Sequence, residues 1–168
     1  MPRILDQIED CVPALRRYAR ALTHDPDLAD DLVQDCLERA IRKRGLWQPS
    51  GSVRSWVFKI LLNVHRSDLR KNQRRPLALS LEALPAEPSG PGTQSGRLAL
   101  ADTARAMQEL PLEQREVLLL VAVEGLSYAE TAEVLSLPLG TVMSRLGRAR
   151  ATLRQLTETG NPVLRSVK

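Results

Sequence analysis

Hydrophobic positions recur along this chain mostly at intervals of three and four, the pattern that predicts amphipathic helices. Ile4, Leu5, Ile8, Val12, Leu15, Ala19 and Leu22 hold that spacing, with a kink or restart expected where Pro13 removes a backbone donor. Asp25-Pro26 reads as a helix start, a capping carboxylate followed by proline at the first helical position. Behind it Leu28, Leu32, Val33, Cys36, Leu37, Ala40 and Ile41 make one apolar stripe, and Gly45 serves as a stop. A third helix is expected from near Ser52 through Trp56, Val57, Ile60, Leu61 and Val64 toward Arg75.

The periodicity then lapses. The clearest boundary runs from Arg75-Pro76 to Gly96, and within it Pro85 to Gly96 is rich in Pro, Gly and Ser, a composition that cannot bury a core and reads as a flexible linker. Helical spacing resumes near Leu98 and runs to Glu109, where Leu110-Pro111 breaks it; a further helix is expected from Glu113 to Val123. Ser127 and Glu130 have the spacing of a capping box, opening a short helix that ends near Leu135. In it, small Ala129 and Ala132 would let a neighbouring helix pack closely. Pro138 can open the last helix, which carries Val142, Leu146, Ala149, Leu153 and Leu156 on one face. The expected fold is therefore all-α: two small helical domains, residues 1–76 and 98–158, joined by a flexible linker at 77–97 and followed by a tail at 159–168.

Composition narrows the function. The chain has 168 residues and a net charge of +4, with only 3% aromatics. The N-terminal stretch lacks the apolar core of a signal peptide, and no segment approaches the roughly 20 apolar residues of a membrane span. The expectation is a cytoplasmic protein with no direct membrane insertion. Two cysteines make no disulfide framework. Cys11, Cys36, His24 and His65 are the only soft ligands, and no pair has the short spacing of a zinc site, so neither metal nor cofactor is expected. No phosphate-binding loop, dinucleotide fingerprint or nucleophile motif is present, which argues against an enzyme.

Charge is unevenly placed, and that is more telling than its sum. Between Thr141 and Leu156 there are four arginines and no acid. A capped short helix, a turn and this longer helix follow the helix-turn-helix plan, whose second helix enters the DNA major groove. Thr141, Ser144, Arg145 and Arg148 then face outward, able to contact phosphates or base edges. From Arg54 to Arg75 there are seven Lys or Arg against one acid, Asp68, with Trp47, Trp56 and Phe58 close by. Two readings fit these aromatics: stacking platforms for an unpaired strand, or core residues. The helix from Asp27 to Arg44 is acidic early and basic late, as its dipole favours; Asp31, Gln34, Asp35 and Glu38 share its polar face, either solvated or a protein-docking surface.

Three groups of residues carry a family resemblance. Asp31-Leu-Val-Gln-Asp35 with Leu37-Glu-Arg-Ala40 resembles the polymerase-binding helix of sigma factor region two. Ser55-Trp-Val-Phe-Lys-Ile60, then Asn63, Asp68 and Arg70, resembles the adjoining segment that handles the downstream, minus-ten promoter element. Leu110-Pro-Leu-Glu-Gln-Arg-Glu-Val117, Glu124-Gly-Leu-Ser-Tyr-Ala-Glu130 and Gly140-Thr-Val-Met-Ser-Arg145 resemble region four. Two such regions on a tether are the plan of the extracytoplasmic-function sigma factors of the sigma-70 family.

The resemblance implies promoter recognition on behalf of core RNA polymerase. Asp31, Gln34, Asp35 and Glu38 would meet the large-subunit clamp helices of core RNA polymerase, whose flap is a further expected contact. The loop from Trp47 to Ser52, with Asn63, would form a pocket for a flipped base, beside Trp56; Lys59, Arg66, Arg70 and Arg74 would hold the strand. Thr141, Ser144, Arg145 and Arg148 would read the upstream, minus-thirty-five element, although Met143 replaces a basic residue of many relatives. It also implies an anti-sigma factor as partner. Two other functions fit the same residues: a sigma mimic that titrates an anti-sigma factor, and a stand-alone helix-turn-helix operator-binding regulator.

Overall fold

A computed structural model describes residues 3–74 and 94–159, and every regular element in them is helical. The expected linker, as far as residue 93, and the tail beyond residue 159 lie outside the described residues.

Helix α1 (Ile4–Thr23) buries Ile8, Cys11, Leu15, Tyr18, Ala19 and Leu22. No restart occurs at Pro13; the helix runs through it. Proline deletes the bond its N–H would make to the Glu9 carbonyl, but both residues are exposed, so water can take that carbonyl. Helix α2 (Pro26–Lys43) starts as its sequence predicts. The Asp25 carboxylate accepts from the backbone N–H of Asp27 at 2.9 Å and of Leu28 at 3.2 Å. Leu32, Val33, Cys36 and Ala40 are buried with Ala29, whereas Leu28 and Ile41, at the stripe's edges, stay 55% and 45% exposed. Its last turn tightens into a 3₁₀ turn, Arg44–Leu46, which absorbs Gly45.

Helix α3 (Val53–Arg74) packs on both. Phe58 is fully buried edge-to-face against Tyr18, with ring centroids 5.3 Å apart. That decides for the core reading of Phe58.

The second bundle begins with α4 (Gln94–Glu109), four residues before the expected Leu98. Helix α5 (Leu112–Leu118) widens into a π turn, Leu119–Val123, closed by the Glu124 N–H on the Leu119 carbonyl at 3.0 Å. Gly125 then adopts φ +69°, a left-handed geometry that stops the helix at little steric cost to glycine. Helix α6 (Tyr128–Leu135) has its capping box in place: Ser127 Oγ accepts from Glu130 N–H at 3.1 Å, and Glu130 Oε2 accepts from Ser127 N–H at 2.8 Å. Ala129 is exposed, contrary to its expected packing role; fully buried Thr131 takes the inward position, and Ala132 is half-buried. Helix α7 (Leu139–Thr159) buries Val142, Leu146 and Ala149.

The two bundles lie against each other, and their buried side chains form one apolar cluster. Helix α1 packs on α5 and the π turn, and α3 packs on α6. At the seam, buried Tyr18 donates its hydroxyl to the Glu116 carbonyl at 3.2 Å.

Candidate nucleic-acid interface

Along α3, Trp56, Lys59, Asn63, Arg66, Arg70 and Arg74 fall within an arc of about 80°, because a helix advances about 100° per residue. They form one stripe but not one site. Trp47, Trp56 and Lys59 converge on a cleft of about 170 Å³ that the loop at Gln48, Ser50, Gly51 and Ser52 closes on one side. Both tryptophans are half-buried and packed against the core, which fixes their rings. Ser52 and Ser55 brace the loop: Ser52 Oγ accepts from Ser55 N–H at 3.0 Å and donates to Ser55 Oγ at 2.8 Å. Asn63, Arg70 and Arg74 lie further along the helix, exposed and outside that cleft. Arg70 Nε donates to the Arg66 carbonyl at 3.3 Å, one turn back.

Asp31, Gln34, Asp35 and Glu38 are all exposed, as a protein-docking stripe requires. On α7, Ser144 and Arg148 are exposed and Thr141 half-buried; Ser144 Oγ donates to the Thr141 carbonyl at 3.1 Å. Arg145 makes an ion pair with Glu113 at 3.2 Å, and Glu113 is itself 69% exposed, so the pair is weakly held. Met143 is half open to solvent at 52%.

Residues that the sequence did not single out join the two bundles. The Glu124 carboxylate is wholly buried and meets two arginines from the first bundle. Arg17 donates to it in the forked geometry, Nε to Oε1 at 3.1 Å and Nη2 to Oε2 at 2.8 Å. Arg54 reaches the same Oε2 at 2.9 Å and the Glu124 backbone carbonyl at 2.7 Å. A negative side chain at a helix C-terminus opposes the helix dipole, so this pair of guanidiniums is what makes the position tolerable. Hydrogen bonding to Glu124 holds the Arg17 guanidinium above its usual pKa. The Glu116 carboxylate, 3% exposed, takes Arg66 at 3.0 Å. Arg66, expected to hold DNA, is thus occupied by a carboxylate here. The available clue was two acids flanking the apolar run from Val117 to Val123.

Arg115 completes the seam. Its guanidinium donates to the carbonyls of Met107 (2.9 Å), Gln108 (2.8 Å) and Leu110 (2.9 Å) and to Leu22 of α1 (3.0 Å). Cys36, fully buried, has its thiol pushed up to about 12 by burial, which makes it inert. Among the described residues no cluster of His, Cys, Asp or Glu could hold a metal ion, and no helix could cross a membrane.

This architecture has close relatives. The family profile described as the Sigma2 domain of PhyR matches residues 8–62, and that described as Sigma-70, region 4, matches residues 100–153. The ECF RNA polymerase sigma factor EcfG of Rhodopseudomonas palustris is 38% identical over 151 residues, 90% of this chain and 83% of that one. The chain belongs to the extracytoplasmic-function sigma factors. Among solved structures, the sigma factor RpoE in complex with the anti-sigma factor NepR from Bartonella quintana superposes with a TM-score of 0.77 at 31% identity, over 93% of this sigma factor and 97% of RpoE. CnrH in complex with the cytosolic domain of CnrY gives 0.70 at 30% identity, over 94% and 89% of the two chains. In this sigma factor the first bundle is thus region two and the second region four, and sigma factors are transcription initiation factors.

Proposed function

We propose that this sigma factor binds core RNA polymerase through Asp31, Gln34, Asp35 and Glu38, and that it captures one unpaired base of the minus-ten element between Trp47 and Trp56. The observation that carries this reading is the cleft those tryptophans share with Lys59, at the head of a basic stripe on α3. A rigid aromatic wall accepts a base face, with stacking contributing roughly 1–3 kcal/mol, while an ammonium at the rim neutralises a phosphate. Asn63, Arg66, Arg70 and Arg74 continue the path along which the strand backbone would run. Thr141, Ser144, Arg145 and Arg148 on α7 read the minus-thirty-five element as duplex. The chain works by binding, without catalysis of its own, in the cytoplasm, and an anti-sigma factor is its regulator. RpoE and CnrH, both solved with such a partner or its cytosolic domain, support that last step by likeness.

Run-off transcription with purified core polymerase and a genomic fragment library tests the proposal. Discrete transcripts that share two spaced upstream motifs, present only with this chain, are the expected result. Core polymerase that neither binds the chain nor changes its transcripts would overturn it and leave the sigma-mimic function.

A further inference from the structure

Two of the expected readers on α7 are already engaged. Ser144 gives its only hydroxyl proton to the Thr141 carbonyl at 3.1 Å. Arg145 leans back on α5, paired with Glu113 at 3.2 Å, and only 20% of its side chain meets solvent. What the first turns of α7 hold out instead is apolar: Leu139 is 48% exposed and Met143 52%. Four residues apart on a helix, the two side chains are neighbours on one face.

Beside them the helix is bare. At Gly140 and Gly147 a Cβ would meet nothing within 4 Å, so both positions face open space. At about 100° per residue, Gly140, Met143 and Gly147 fall within an arc of about 60°. Such a strip lets the backbone approach a surface closely, and Met143 is then pressed into it. The flanking charge identifies that surface. Between Thr141 and Leu156 there are four arginines and no acid, and exposed Arg148 and Arg150 stand on either side of the strip. Paired cationic flanks suit the two phosphate backbones that border a groove of duplex DNA. In the major groove, the groups that distinguish one base pair from another are hydrogen-bond donors and acceptors, with one exception. The exception is the 5-methyl group of thymine, the partner that an apolar side chain finds there.

We infer that Met143, assisted by Leu139, is a specificity-determining residue of α7 that reads the methyl group of a thymine in the upstream element. This rests on the proposed role of α7 as the duplex reader and names what the helix selects at that position. Met143 is the fifth residue of α7, in the N-terminal part from which a recognition helix contacts base edges. Its unbranched thioether chain adapts to the methyl without a fixed geometry. One methyl removed from water is worth about a fourfold change in affinity. Because no charge takes part, that factor should hold as salt rises, while the arginine contacts weaken.

The test uses holoenzyme reconstituted from core polymerase and the full chain, with a labelled promoter duplex found by run-off transcription. Each thymine of the upstream element, on either strand, is replaced singly by deoxyuridine, which lacks only the methyl group, and binding is followed by fluorescence anisotropy. Wild type should lose about fourfold in affinity at one position or two adjacent ones, and equally at low and moderate salt. Met143→Ala should bind the thymine and deoxyuridine duplexes alike at that position, and Met143→Leu should restore the difference. Met143 is exposed, so neither variant should change the helical circular dichroism. Wild-type binding indifferent to every replacement would overturn the inference, as would a thymine preference that persists unchanged in Met143→Ala. If wild type transcribes from promoters with two shared motifs and either result is found, the inference alone fails. If it transcribes from none, the proposed function has failed, and the inference falls with it.

Discussion

Arg115→Ala should unlock the seam between the bundles, and its cost can be worked from four hydrogen bonds. The guanidinium caps the C-terminal ends of two helices at once, α4 through Met107 and Gln108 and α1 through Leu22, and adds Leu110. Helix ends leave their last carbonyls without partners and carry partial negative charge, so a cation there satisfies both demands. In the variant the Gln108 carbonyl, on an exposed residue, can turn to water, and half-buried Met107 can do so in part. Leu22 and Leu110 are 1% and 2% exposed, so their carbonyls are left stranded. An orphaned buried acceptor costs about 1–3 kcal/mol, and two of them bound the loss at about 2–6 kcal/mol. Truncation also removes the cost of desolvating the half-buried guanidinium in the folded state, which places the expected loss near the lower half of that range, about 2–4 kcal/mol. For a chain of this length each kcal/mol lowers Tm by about 2–4 °C, so the shift should be at least about 4 °C. Thermal unfolding followed by far-UV circular dichroism measures it, with a urea titration to check that the slope is unchanged. A Tm within about 1 °C of wild type would refute the reasoning, because it would mean that water reaches those carbonyls in the folded state.

Two further outcomes are expected. Burial pushes both imidazoles below the ordinary histidine pKa: for His24 Arg115 pushes the same way, and for His65 Arg115 and Arg66 do while Glu116 and Asp68 oppose them. The folded state thus takes up protons on both less readily than the unfolded chain, which does so below about pH 6.5, so stability is complete above that pH and falls as pH drops through it. The urea midpoint should be lower at pH 5.5 than at pH 7.5, less so in His65→Gln; a midpoint that rises on acidification contradicts this. Ser127→Ala removes the N-terminal cap of α6, a helix of only eight residues, and should cost about 1 kcal/mol, with Ser127→Asp close to wild type. Equal thermal stability of all three chains would exclude a capping role.

Local chemistry made much of the fold legible. Asp25-Pro26, the Ser127–Glu130 box, Gly125 and Pro138 each set a boundary through bonds made within a few residues, so each could be read from its neighbours. The buried faces of α1, α2, α3 and α7 follow from helical spacing for the same reason. Pro13 left a kink or a restart open because periodicity does not tell whether the deprived carbonyl faces water. Ala129 misled because small size permits close packing without requiring it, and the face that packs is the one that carries Thr131. The cleft was half legible: Trp47, Trp56 and Lys59 were candidates, but only a folded loop from Gln48 to Ser52 brings the first to the other two.

What the sequence withheld is which faces meet. Hydrophobic periodicity reports that a helix has a buried side, and it is silent on the helix that buries it when a long linker lies between them. Glu116 and Glu124 illustrate the cost of that silence. Nothing beside Val117 to Val123 marks them for burial, and only apposition to Arg66, Arg17 and Arg54 explains why they are buried. The same apposition changes the meaning of Arg66 from a free cation on a DNA-binding stripe to one already occupied. On the proposed reading Arg66 therefore has two possible anions, one from the promoter and Glu116 from its own region four. Its share in promoter binding is the difference between those two contacts, so single arginine substitutions on α3 will understate the DNA contact wherever the carboxylate contact is lost with it.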